Sequence, residues 1–132
     1  MNSHEAVTQL NIDCYGCGGD LNNKDQIVRI AERAAKQVGA TVLGSGSVSY
    51  PARGITAVVF LAESHILVST YPEYRYAIVE IFMCNSQADP GECWTYLYDY
   101  LQPAQISINK EVHYVGNGNG LVLNKASRHI ES

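Results

Sequence analysis

Residues 55–84 read ITAVVFLAESHILVSTYPEYRYAIVEIFMC. Three runs in this stretch, ITAVVFLA (55–62), HILVSTY (65–71) and YAIVEIFM (76–83), are apolar, rich in β-branched residues and of strand length. PEYR (72–75) supplies turn chemistry between the second and third. Consecutive strands with short connections indicate an antiparallel sheet. One feature does not fit a plain strand. Glu63, Ser64 and His65 place an acid, a hydroxyl and an imidazole side by side where the apolar pattern breaks.

Outward from this stretch the pattern alternates between sheet and helix. VTQLNIDCYG (7–16) has the partial alternation of a first strand. NNKDQIVRIAERAAKQVGA (22–40) is the clearest helix: Ile27, Ile30, Ala31, Ala34, Ala35 and Val38 recur at three- and four-residue steps. Asn23 can cap its start and Gly39 end it. ATVLGSGSVSY (40–50) reads as a strand interrupted by glycine. Asp89-Pro90 opens a second helix in which Trp94, Leu97 and Leu101 share a face, and AQISINKEVHYV (104–115) is a last strand. The order is strand, helix, several strands, helix, strand. It predicts an α+β two-layer sandwich, an antiparallel sheet with helices on one face. Apolar residues of both parities in 55–62 and 76–83 leave the second face in need of a cover. A homodimer is the expected source of that cover.

The chain has 132 residues, enough for one domain, 1–132. With 46% hydrophobic and 17% charged residues it reads as globular. A formal charge of −4 leaves no basic surplus for nucleic acid. The first residues, MNSHEAV, lack a basic leader, and no apolar run reaches the length of a spanning helix, so no membrane is expected and the cytoplasm is the expected compartment. Residues 116–132, beginning GNGNG, read as a loose C-terminal tail without the lysine and hydroxyl of a phosphate loop.

Cys14 and Cys17 form a CxxC, but Cys84 and Cys93 lie far off in unlike contexts, and Gly18-Gly19 follows the pair where a redox site would open a helix. Ordinary thiols are therefore expected and no metal. Glu63-Ser64-His65 is also not a conventional hydrolase site, because the flanking glycines of a nucleophile elbow are missing. Adjacent strand residues moreover point to opposite faces, so His65 is badly placed to serve Ser64 as a base. On spacing alone, a polar strand start is the simplest reading.

Taken together, however, GATVL (39–43), AESHILVSTYPE (62–73), YAIVEIFMC (76–84) and ADP (88–90) resemble the prokaryotic S-adenosylmethionine decarboxylase proenzymes, in the same order and over about residues 9–101. The resemblance implies self-cleavage between Glu63 and Ser64 into a β chain, 1–63, and an α chain, 64–132. It implies a pyruvoyl group made from Ser64 that forms a Schiff base with an amine substrate, with no pyridoxal phosphate and no metal. Cys84 then matches the proton donor, and Glu73, with Tyr71 beside it and Tyr50 upstream, matches the substrate-binding positions. At three positions the chain departs from the family pattern. Ser69 stands where a processing histidine is usual, Thr56 where a processing serine is usual, and Tyr50 where a phenylalanine stacks on adenine. Decarboxylation of S-adenosylmethionine in polyamine synthesis is the first expectation. A pyruvoyl-dependent L-ornithine or L-arginine decarboxylase on the same fold, and a non-catalytic homologue that regulates an active partner, are the alternatives.

Overall fold

The computed structural model describes residues 6–86 and 88–116. Six strands and two helices follow one another as β1 (Ala6–Tyr15), α1 (Lys24–Gln37), β2 (Val42–Ser49), β3 (Ile55–Leu61), β4 (Ser64–Tyr71), β5 (Tyr76–Cys84), α2 (Pro90–Leu101) and β6 (Gln105–Tyr114). The strands form one sheet in the order β2-β3-β4-β5-β1-β6, with every neighbouring pair antiparallel. The segment 55–84 is thus the meander β3-β4-β5 at its middle. β1 inserts beside β5, and β6 lies at the margin, paired with β1 alone. The sheet with helices on one face is the α+β sandwich the sequence indicates.

The helices begin and end where their caps dictate. Asn23 accepts from the amide of Gln26, and Asp89 accepts from that of Gly91 with Pro90 in the first turn. Ile27, Ala31, Ala34 and Ala35 of α1 and Cys93, Trp94, Leu97 and Leu101 of α2 are buried against the sheet. Their alanines keep α1 close to the strands, and Trp94 supplies the bulk that α1 lacks. From the sheet side the core takes alternate residues: Leu10 and Ile12, Ala57 and Val59, Ile66 and Val68, Val79 and Ile81.

The Gly18-Gly19 pair after the CxxC has a packing reason. Gly18 N–H bonds to the carbonyl of Gln102, and Gly19 N–H to that of Leu101. A Cβ on Gly19 would fall 2.0 Å from the carbonyl oxygen of Tyr100, so only glycine lets this loop lie on the end of α2.

The second face of the sheet carries no element among the described residues. Its centre is apolar, with Val58, Leu67 and Ile78 half-buried and Phe60 53% exposed. Polar groups flank this band: His65 and Glu80 toward one end, Thr56 and Ser69 toward the other. Residues 117–132, most of the segment read as a tail, lie outside the described residues.

Candidate active site

β3 and β4 are joined by a two-residue hairpin, Ala62-Glu63, with Leu61 paired to Ser64. Glu63 has φ 64°, in the left-handed region that glycine or asparagine normally fills. A residue with a full side chain pays about 1–2 kcal/mol for that conformation. The backbone immediately before Ser64 is therefore strained. β4 is an interior strand, so Ser64 does not sit at a loose sheet edge. Its Oγ accepts a hydrogen bond of 3.0 Å from the backbone N–H of Cys84, twenty residues on at the end of β5. Cys84 is 1% exposed, and its Sγ lies 3.3 Å from Ser86 Oγ. The hairpin and the end of β5 thus bring together Glu63, Ser64 and Cys84.

His65 faces away from this contact, as alternation requires. Its Nε2 lies 2.5 Å from Glu80 Oε2, and its ring stacks on Phe82, with centroids 5.0 Å apart and planes at 10°. Phe82 also meets the ring of His113 at 5.8 Å, and His113 Nε2 is 3.0 Å from Gln9 Oε1. Sequence reasoning assigned nothing to Glu80, Phe82 or His113. Glu80 did carry a signal: it is the lone acid within an apolar strand.

The remaining candidates gather at the opposite end of the same strands. Register pairs Thr56 with Ser69. Their hydroxyls are 3.1 Å apart, and Tyr50 Oη is 2.6 Å from Thr56 Oγ1. The three positions that depart from the family pattern are thus one chain of hydroxyls, and the phenol of Tyr50 has its partner in Thr56. Tyr71 lies nearby, 43% exposed, its ring 5.6 Å from that of Tyr76, which stacks on Tyr15 at 5.3 Å. Tyr76 donates its hydroxyl to Asp13 Oδ1. That bond, with burial and the Asp13 charge adding to it, pushes the phenol well above its usual range. Glu73 is exposed in the 3-10 turn Pro72–Tyr74.

Five residues of strand separate Ser64 from Ser69, about 17 Å at strand rise. The candidate residues therefore form two separate groups. Ser64 and Cys84 stand at one end of β4 and β5, and Tyr50, Thr56 and Ser69 gather toward the other end of the sheet.

Cys14 and Cys17 are buried thiols, Cys17 Sγ lying 3.6 Å from the carbonyl oxygen of Cys14. Burial first, then the charges of Cys17 and Asp13, push Cys14 up to about 12. Burial raises Cys17 too, against the opposing pull of Arg75. Neither is poised as a thiolate. No group of three potential metal ligands occurs among the described residues. Nor is any helix among them long and apolar enough to cross a membrane.

The profile of the family "S-adenosylmethionine decarboxylase" matches residues 8–112. An S-adenosylmethionine decarboxylase proenzyme of Thermosipho africanus is 34% identical over 95 residues, 71% of this chain and 73% of that protein. One from Caldicellulosiruptor saccharolyticus is 31% identical over 105 residues, 79% and 85% of the two chains. The crystal structure of the adenosylmethionine decarboxylase from Aquifex aeolicus superposes with a TM-score of 0.68 at 29% identity, covering 86% of this chain and 92% of that one.

Proposed function

The chain belongs to the S-adenosylmethionine decarboxylase family, and from that membership we propose that it is a self-processing, pyruvoyl-dependent decarboxylase of S-adenosylmethionine in polyamine synthesis. The observation that carries the reading is the hairpin tip: a strained Glu63 directly before a Ser64 whose Oγ is held against the end of β5 at Cys84. These residues fit a pyruvoyl group formed in place, because the hydroxyl of the serine that would become it is already fixed by the backbone N–H of Cys84.

Processing proceeds from this geometry. Ser64 Oγ attacks the carbonyl carbon of Glu63, and the amide nitrogen leaves as an amine, giving an ester. Loss of the Ser64 Cα proton then breaks the Cβ–Oγ bond, so that the oxygen departs with Glu63 as its new carboxylate. One water hydrolyses the remaining enamine, ammonia leaves, and residue 64 is a ketone attached to the nitrogen of His65. The products are a β chain of residues 1–63 and an α chain of 64–132. The pyruvoyl group supplies an electron sink for the carbanion left when CO2 departs. Cys84 supplies the proton to that carbon, and Ser86 at 3.3 Å orients its thiol.

The hydroxyl chain Tyr50–Thr56–Ser69 is the other half of the site, with Glu73 and Tyr71 beside it as substrate contacts. Since one chain keeps the halves about 17 Å apart, a second copy packed face to face by a two-fold axis across the strands supplies the missing half. Each Ser64–Cys84 end then lies over the partner's hydroxyl end, and the apolar band at Val58, Leu67 and Ile78 is covered. The test is CO2 release by purified protein from S-adenosylmethionine, L-ornithine and L-arginine in parallel. Turnover of S-adenosylmethionine alone is expected. Turnover of an amino acid instead would favour the second reading, a small-substrate enzyme, for which the added hydroxyl at Tyr50 and the absence of a ring at Ser69 speak. An uncut chain that releases no CO2 and binds an active decarboxylase would point to a regulatory homologue.

A further inference from the structure

Besides its strand pairing with Leu61, residue 64 of the intact chain is held through the covalent hairpin Ala62-Glu63 and through the bond from Cys84 N–H to Ser64 Oγ. The processing steps above abolish both. The peptide bond is cut, and the oxygen that accepted from Cys84 leaves with Glu63. A newly cut strand end frays unless something else ties it down. The ketone at position 64 must nevertheless stay aligned, because misplacing a reacting group by about 1 Å can cost about 100-fold in rate.

The next residue is tied down by contacts that the cut leaves intact. His65 Nε2 is bonded to Glu80 at 2.5 Å, and its ring lies flat on Phe82 at 5.0 Å. Main-chain pairing sets His65 opposite Phe60 on one side and Phe82 on the other. Glu80, Phe82 and Cys84 follow one another at alternate positions of β5 and so share a face. The strand that grips His65 is therefore the strand that carries the proton donor.

Resting on the function proposed above, we infer that His65, gripped by Glu80 and Phe82, is the positioning residue that anchors the cut end of β4 and holds its ketone in register with Cys84. The anchor acts only after cleavage, which separates it from an ordinary structural pair.

The test compares Glu80→Ala and Glu80→Gln, each in the self-processing protein and in an uncut Ser64→Ala background. Processing is read by intact mass, order at residues 65–68 by amide hydrogen exchange, and turnover by CO2 release from S-adenosylmethionine. Glu80→Ala is expected to cleave. Its exchange over 65–68 should rise about tenfold or more in the cut protein and hardly at all in the uncut one. Its kcat should fall about tenfold or more with KM within about threefold, and Glu80→Gln, which keeps a hydrogen bond, should recover most of both. Equal loss of protection in cut and uncut proteins, or unchanged kcat, would overturn the anchor. So would a folded Glu80→Ala that fails to cleave. Phe82→Leu, which removes the stack and spares the polar contact, carries the same comparison if Glu80→Ala does not fold. A parent protein that never cleaves removes the proposed function and the anchor together, whereas cleavage with an indifferent Glu80→Ala removes the anchor alone.

Discussion

Ser64 illustrates how one residue can be both a piece of backbone and the source of a reactive group. Its hydroxyl is placed by the sheet, and the carbonyl it must attack belongs to a residue in the left-handed region. Glu63→Gly removes that strain. In a Ser64→Ala background it should raise stability by about 1 kcal/mol. In the self-processing protein it should slow cleavage about fivefold, because about 1 kcal/mol of ground-state strain no longer lowers the barrier. A time course of fragment formation checks this, and unchanged kinetics would show that the turn's strain plays no part. Cys84 acts later. Cys84→Ala should still yield both fragments while CO2 release falls by about 100-fold or more. Gel analysis and the decarboxylation assay on one preparation separate the two effects.

At the scale of elements, the β3–β4 pair carries candidate residues at both ends: Glu63 and Ser64 at its hairpin, Thr56 and Ser69 at the other. Thr56→Val cuts the hydroxyl chain at its middle and leaves Tyr50 and Ser69 without their shared partner. Each lost bond is worth about 1 kcal/mol. The expected outcome is slower cleavage and a higher KM for S-adenosylmethionine, read by fragment yield and initial rates. Tyr50→Phe should change both less, since Thr56 keeps Ser69. The elements themselves were legible because each carries a local signal: apolar, β-branched runs of strand length in β3 to β5, the alanine-rich stripe and Asn23 cap of α1, Asp89-Pro90 at α2. The reactive stretch at 63–65 was legible as a motif. Its neighbours were not. Glu80 meets His65 across a strand pair fifteen residues apart, and Gln9 meets His113 across one hundred and four. Cross-strand register decides such contacts, and no short window of sequence contains it. The alternation of strand residues did foretell that His65 would turn away from Ser64. It could not supply the partner His65 turns toward.

For the whole molecule, the decisive feature is a sheet face that no element among the described residues covers, with the two groups of candidates toward opposite ends of its strands. The sequence indicated the need for a cover through apolar residues of both parities. It did not indicate the separation of the two groups of candidates, which follows from their places along β3, β4 and β5. If two copies complete each site, two defective chains should repair one another. Ser64→Ala keeps the hydroxyl end, and a Thr56→Val, Ser69→Val double variant keeps the Ser64 end. Co-expression should restore cleavage of the second chain to about the statistical share of mixed dimers. Cleavage of the double variant at the same low level with or without its partner would place a complete site within one chain.

Intact mass spectrometry of the freshly purified protein, before and after treatment with a hydrazine, tests most directly whether Ser64 becomes a cofactor. Two fragments are expected from the 14.5 kDa chain, meeting at Glu63 and Ser64, with the second lacking a free amine and gaining one hydrazone. A single uncut chain, a cut elsewhere, or a second fragment that begins with unmodified serine and takes up no hydrazine would contradict that conversion.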